Sequence, residues 1–317
     1  MKRIFIVALM LVFVVAALAT GCAPKPQYIA IATGGTAGVY FPLGSKMADI
    51  LNKTIKNMNA TAQSTAASVA NMNMLGSKEV EIAFVQNDIT YYAYTGTEMF
   101  AGKKVDNVRG IASLYNEVVQ IVATEASGIK SVKDLVGKRV AIGAPGSGVE
   151  ASARQVLEAF GLKYADLDKA DYLTFAEAAS NMKDGHIDAA FVTSGIPTSA
   201  VIDMSKTSKV VVIPVSGAEV STLQSKYPFY AKVTIPANTY DGQPTAIDTV
   251  AVRAIIVVRA DLEEKAVYEI TKSLFSNLTD FGAVHARGKD LTLATAKDAM
   301  PIPLHPGAEK YYKEKGK

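Results

Sequence analysis

One local pattern occurs twice in this chain and constrains its fold more than any other feature. Residues 28–33 (YIAIAT) read as a compact strand, followed by the turn Gly34-Gly35-Thr36-Ala37-Gly38 and a helix over about 40–56. Residues 139–143 (RVAIG) repeat the strand, followed by Ala144-Pro145-Gly146-Ser147-Gly148 and a helix over 149–160 that Gly161 closes. A second helix and strand follow each unit. In the first half these are 68–77, with Val69, Met72 and Leu75 on one face, and 81–86 (EIAFVQ). In the second half they are 176–184 and 187–193 (IDAAFVT), and an acidic residue, Glu81 or Asp188, stands at the head of each later strand. Strands alternating with helices imply parallel sheets covered by helices, so two copies predict two similar α/β lobes.

Two longer apolar strands, over 109–125 and 249–259, fit this plan as crossings. If both pass between the lobes, the chain enters the second lobe once and returns once. The expected division is 28–113 plus 251–317 for lobe I and 114–250 for lobe II, joined by a hinge with a ligand cleft between. The helices from Leu262 onward then belong to lobe I.

The N-terminus reads as an export signal. Lys2 and Arg3 precede an uncharged, strongly apolar stretch over 4–19, which ends in 18–22 (LATGC). Small residues before a cysteine resemble the lipobox of bacterial lipoproteins, which implies cleavage before Cys22 and lipid attachment to its sulfur. Residues 1–21 are then the leader and 22–27, with two prolines, the anchor and tether. Two or more acyl chains make a stable membrane anchor. Cys22 is the chain's single cysteine, which excludes an internal disulfide, a multi-cysteine metal site and a cysteine nucleophile in the folded part. With Lys2 and Arg3 gone, 31 basic side chains face 30 acidic ones, and no polybasic run suggests nucleic acid.

The glycine turns are the strongest site signals. A glycine-rich strand end that opens a helix exposes unpaired N–H groups at the positive end of a helix dipole, which binds anions. Neither turn is a phosphate loop or a dinucleotide fingerprint. Two such turns facing each other across a cleft make a carboxylate clamp. Catalytic signals are weak. His186, His285 and His305 are scattered and read as solvated or capping residues, and Ser194 lies outside a nucleophile elbow. No enzyme activity, cofactor or metal is expected. Asp88, near Tyr91, Tyr92 and Tyr94, either lines a polar site or stands among half-buried wall residues.

The motifs 34–44 (GGTAGVYFPLG), 65–71 (TAASVAN), 84–88 (FVQND), 113–115 (SLY), 143–148 (GAPGSG), 191–197 (FVTSGIP), 234–240 (TIPANTY) and 305–312 (HPGAEKYY) occur in this order. Together they resemble the TAXI family of solute receptors, which serve TRAP membrane permeases. The resemblance implies a type II periplasmic-binding-protein fold, and a monomeric, extracytoplasmic, lipid-anchored receptor. That receptor closes on a small organic anion, glutamate-like or a dicarboxylate, and hands it to TRAP permease subunits. It implies ligand contacts at Thr36, Gly38, Tyr40, Ser68, Gln86, Gly146, Ser147, Gly148, Thr193 and Gly195. Arg154 is expected to be structural or hinge-supporting. Alternatives are the binding protein of an ATP-driven importer, or a surface interaction protein or immunogen.

Overall fold

The structure, a computed structural model, describes residues 26–317. The leader and Cys22 lie outside the described residues. Ten strands run in chain order as β1 (Gln27–Ala32), β2 (Met58–Gln63), β3 (Ile82–Gln86), β4 (Val108–Thr124), β5 (Arg139–Ala141), β6 (Lys169–Asp171), β7 (Ala189–Ser194), β8 (Val210–Ile213), β9 (Ala231–Ile235) and β10 (Ile247–Arg259). The α-helices are α1 (Tyr40–Thr54), α2 (Ser68–Gly76), α3 (Asn87–Thr95), α4 (Gly148–Ala159), α5 (Phe175–Lys183), α6 (Ser199–Thr207), α7 (Ala218–Lys226), α8 (Glu264–Ser276), α9 (Leu278–Ala283) and α10 (Pro306–Glu314).

The main strand order is β2-β1-β3-β10-β4-β7-β5-β6. Read outward from the centre, each half has the same layout. In one half β1 pairs in parallel with β2 and β3, and β3 runs antiparallel to β10. In the other half β5 pairs in parallel with β6 and β7, and β7 runs antiparallel to β4. The repeated sequence pattern is therefore a repeated topology. The acidic residue at the head of the later strand has the same task in both halves. Glu81 Oε2 accepts the Ala30 N–H of β1 at 2.8 Å, and its other oxygen meets Arg259 at 3.0 Å. Asp188 Oδ2 accepts the Arg139 N–H of β5 at 2.8 Å and meets the Arg139 guanidinium. Each carboxylate ties a strand that ends in a glycine turn to its neighbour.

The long strands β4 and β10 pair antiparallel with each other and run through both lobes. Strand β10 pairs with β9 over 247–251 and with β3 over 254–258. Strand β4 turns to β7 from Val118 onward. Most of their residues are buried, as expected of strands covered on both faces. The C-terminal helices pack on the first lobe: Val267, Ile270, Leu274, Phe281, Tyr311 and Tyr312 share a core with Ile31, Leu43 and Met47. Tyr312 OH reaches across to donate to the Ile111 carbonyl at 2.8 Å.

Several elements carry weak sequence signals. Strand β2 (MNATAQ) is a partly exposed edge with only Met58 and Ala60 buried. Helix α3 (NDITYYAYT) is rich in tyrosine and threonine, which have modest helix propensity, and Gly96 ends it in the left-handed region at φ 73°. His285 and His305 are helix-start caps: their Nδ1 atoms accept from the Arg287 and Gly307 N–H groups at 3.1 and 3.2 Å.

Candidate functional site

Ligands of α/β folds sit beyond the carboxyl ends of the strands, where helices begin. Here the ends of β1, β3 and β7 and the turn after β5 meet at one cavity of about 50 Å³. Its lining comes from both lobes: Gly34, Gly35, Gly38, Val39 and Tyr40 from the first turn, then Ala67, Ser68, Gln86 and Glu117, with Gly148, Val149, Phe175, Thr193 and Ser194 opposite.

Helix starts supply the cavity's positive character. Helices α1 and α2 begin at Tyr40 and Ser68 on the cavity wall, and neither has a side-chain cap. The first N–H groups of a helix lack partners within it, so these ends favour an anion. Ala67, just ahead of α2, is held at φ 75°, a conformation that L residues rarely adopt, and it lines the cavity. Helix α4 differs, because Ser147 caps it by accepting the Glu150 N–H at 3.1 Å.

No lysine or arginine lines the cavity, and the one charged residue type there is acidic. Glu117, in the middle of β4, is buried and accepts a hydrogen bond from Tyr40 OH at 2.8 Å. Burial pushes its carboxyl up to about 8, and hydrogen bonding from Tyr40 and Gln86 offsets only part of that rise. Burial also drives the Tyr40 phenol well above its ordinary range, with the nearby Glu117 adding to the effect. Gln86 and Thr193 are buried at the ends of β3 and β7, and neither Gln86 Oε1 nor Thr193 Oγ1 has a protein partner. Such groups are costly to bury alone and mark where ligand atoms belong.

The lobes are in contact around the cavity. Ala70 N–H in α2 donates to the Gly146 carbonyl at 3.0 Å, and Ala200 N–H in α6 donates to the Ala37 carbonyl at 3.3 Å. A Cβ added at Gly38 would stand 3.4 Å from the Phe175 ring. Arg154 on α4 faces Glu98 of the first lobe at 3.6 Å. This is the closed arrangement of a hinged pair.

The expected contact residues fall into two groups. Gly38, Tyr40, Ser68, Gln86, Gly148 and Thr193 line the cavity. Thr36 is exposed outside it. Gly146 offers its carbonyl to the other lobe and so is a clasp between lobes. Ser147 serves α4 as its cap and borders a neighbouring cavity with Thr65, Leu173 and Phe175. Gly195 packs against Tyr115, because a Cβ there would come within 2.9 Å of that ring. Glu117 and Phe175 are cavity residues that the sequence reading did not single out. A lone acid inside the apolar run 117–123 was the available signal for Glu117. Asp88 belongs to neither expected class, since it is fully buried at the start of α3 and does not line the cavity.

Comparison with known proteins bears on this arrangement. A model of the NMT1-like family matches residues 31–316. The alkanesulfonate-binding protein SsuA from Xanthomonas axonopodis pv. citri, bound to MOPS, is similar at a TM-score of 0.53 and 14% identity, over 92% of this chain and 85% of that one. PhnD1 from Prochlorococcus marinus, in complex with methylphosphonate, is similar at 0.55 and 14% identity, over 80% and 85%. A binding protein component of an ABC phosphonate transporter from Pseudomonas aeruginosa is similar at 0.53 and 12% identity, over 87% and 84%. The architecture is thus the two-lobed periplasmic-binding-protein fold. The same findings correct the expected family. The matching model is that of the NMT1-like family, and the similar structures are sulfonate- and phosphonate-binding proteins, one of them from an ABC transporter. The TAXI assignment, and with it TRAP permease subunits as partners, is withdrawn. The motifs behind that assignment are largely the glycine turns and strand ends that carry the cavity.

Proposed function

The chain belongs to the NMT1-like family, and from that premise we propose that it is the extracytoplasmic solute-binding protein of an ATP-driven importer. Its ligand is a compact organic oxyanion. The observation that carries this reading is the cavity itself: the uncapped starts of α1 and α2 border a space that lacks any basic side chain. Backbone amides would hold the oxyanion, as they do wherever helix N-termini meet an anion. The Thr193 hydroxyl, which has no protein partner, would donate to it, and Tyr40 would flank it. Lobe closure on the ligand produces the form that the membrane partner recognises. We read the protein as a carrier and not an enzyme, because the lining offers hydroxyls but no histidine or lysine to activate them.

Thermal unfolding with methylphosphonate, methanesulfonate or L-glutamate tests the reading. At 10 to 100 times Kd, a bound ligand adds about 1.4–2.7 kcal/mol. The absence of any shift with all three compounds, and with other small carboxylates, sinks it.

We further propose membrane attachment through Cys22. Cys22→Ser should move the protein from the membrane fraction to the soluble fraction and abolish labelling by radioactive palmitate. Unchanged membrane retention of that variant would exclude the anchor.

A further inference from the structure

An anion cavity lined by a carboxyl and by no basic side chain poses an electrostatic problem. Glu117 lies on the cavity wall with 4% of its surface exposed, and no cation stands beside it. Two negative charges in one buried space cannot both persist, so one of them must take up a proton. Tyr40 OH already donates to Glu117 Oε2. Gln86 Oε1, without a protein partner, adds an acceptor atom to the same lining beside the Glu117 carboxyl. The cavity therefore has amide donors at its helix starts and a group of acceptors on its other walls. A fully ionised oxyanion alone leaves those acceptors unmet.

Resting on the oxyanion reading above, we propose that the protein binds its ligand together with one proton, held between Glu117 and the oxyanion. The protonated Glu117 carboxyl donates to an ionised oxygen of the ligand, whether that ligand is a sulfonate or a phosphonate monoanion that keeps its own acid proton. In both cases the cavity holds one negative charge, on the ligand, beside a neutral Glu117.

The surroundings single out Glu117 for this part. From α1 it faces Tyr40, and from its own strand Tyr115. From the end of β3 it faces the uncharged Gln86, and beyond that Asp88 at the start of α3. Strand β10 sets Val252 opposite it, and β7 brings the uncharged Thr193 and Ser194 to the same cavity. The Arg287–Asp290 ion pair acts on Tyr115 and does not line the cavity. Both tyrosines titrate far above neutral, so Glu117 and Asp88 are the two groups that can change charge near neutrality. The raised affinity of the Glu117 carboxyl for its proton agrees with the role.

Calorimetric titration of the purified protein between pH 6 and 9.5 tests the proposal, with methanesulfonate and methylphosphonate as probes. Methanesulfonate keeps one charge throughout, so any pH dependence of its binding belongs to the protein. Its affinity should fall towards tenfold per pH unit above the titration of Glu117, with about one proton taken up per ligand as read from buffers of different ionisation heat. Glu117→Gln should flatten the slope and bind either probe at least ~10-fold more tightly than the wild type at pH 9. Asp88→Asn should keep the slope. A flat wild-type profile overturns the proposal, as does an unchanged slope in Glu117→Gln. Tight L-glutamate binding that holds or strengthens as pH rises also overturns it, by placing an ammonium at Glu117, while leaving the carrier reading intact. If none of the three compounds binds, the oxyanion reading itself fails and the proposal goes with it.

Discussion

Gly148→Ala should cost at least ~100-fold in ligand affinity, about 2.7 kcal/mol, while leaving the fold as stable as before. Gly148 begins α4 in the second lobe and lies directly against the first. A methyl group on its Cα would overlap the Gln86 carboxamide and stand 3.0 Å from Ser68 Oγ. Gln86 is 1% exposed, so its end group can move only into the space the ligand needs. The obstruction lies between the lobes and not within either one. Gly148 has no need of a positive φ, and alanine is the better helix former at the start of α4. The expected signature is therefore a split: thermal stability without ligand is unchanged or slightly raised, and closure is lost. Small-angle scattering should show the variant retaining its open dimensions at ligand levels that compact the wild type. Affinity within threefold of the wild type would mean that the two lobes do not meet at Gly148 in the bound form.

Asp88→Asn should stabilise the protein at alkaline pH by roughly 2–4 kcal/mol and do almost nothing near pH 4. Asp88 is fully buried in the first turn of α3, and neither carboxyl oxygen has a partner within hydrogen-bonding geometry. Burial raises its pKa from 3.8 to about 7, and the amides of Ile89 and of Asp88 itself offset this only in part. Between those two values the folded protein keeps a proton that the unfolded chain has released. Stability therefore falls as pH rises through that window, and the full penalty stands above about 7. An asparagine of the same shape has no charge to desolvate. Its gain over the wild type should open between pH 4 and 7 and level off beyond. Melting curves of both proteins from pH 4 to 9 decide the matter, and parallel curves would refute the assignment.

The two halves show why so much of this fold could be read from the chain and why part of the site could not. Strands β1, β3, β5 and β7 are short apolar runs, β1 and β5 lead into glycine turns, and the lobes repeat them in one order. The crossing strands announce themselves by unusual apolar length. These signals are local. Strands β2, β6 and β9 are partly exposed and pair at sheet edges, so their residues carry little pattern. The same divide runs through the cavity. Gly38, Tyr40, Ser68, Gln86, Gly148 and Thr193 flank glycine turns, helix starts and strand ends, which sequence marks. Glu117 sits mid-strand, and its meaning comes from Tyr40, 77 positions away. Thr36 and Gly195 share the turns but face away from the cavity or into a tyrosine ring, and spacing along the chain cannot tell such neighbours apart. The family assignment drew on these same fold-bearing residues, and so described the scaffold better than the permease.

The paired crossing strands also set the order in which this chain can become a protein. The second lobe draws most of its strands from one continuous stretch after Val118. The first lobe cannot finish its sheet until β10 arrives, since Ala254 pairs with Gln86 and Val258 with Ile82. Its hydrophobic core closes later still, when Tyr311 and Tyr312 dock near the end of the chain. Contacts between residues so far apart in sequence form slowly. A chain emerging N-terminus first can pair β1 with β2 and β3 early, but it holds the outer edge of β3 open until β10 is made, and the half that begins first is completed last.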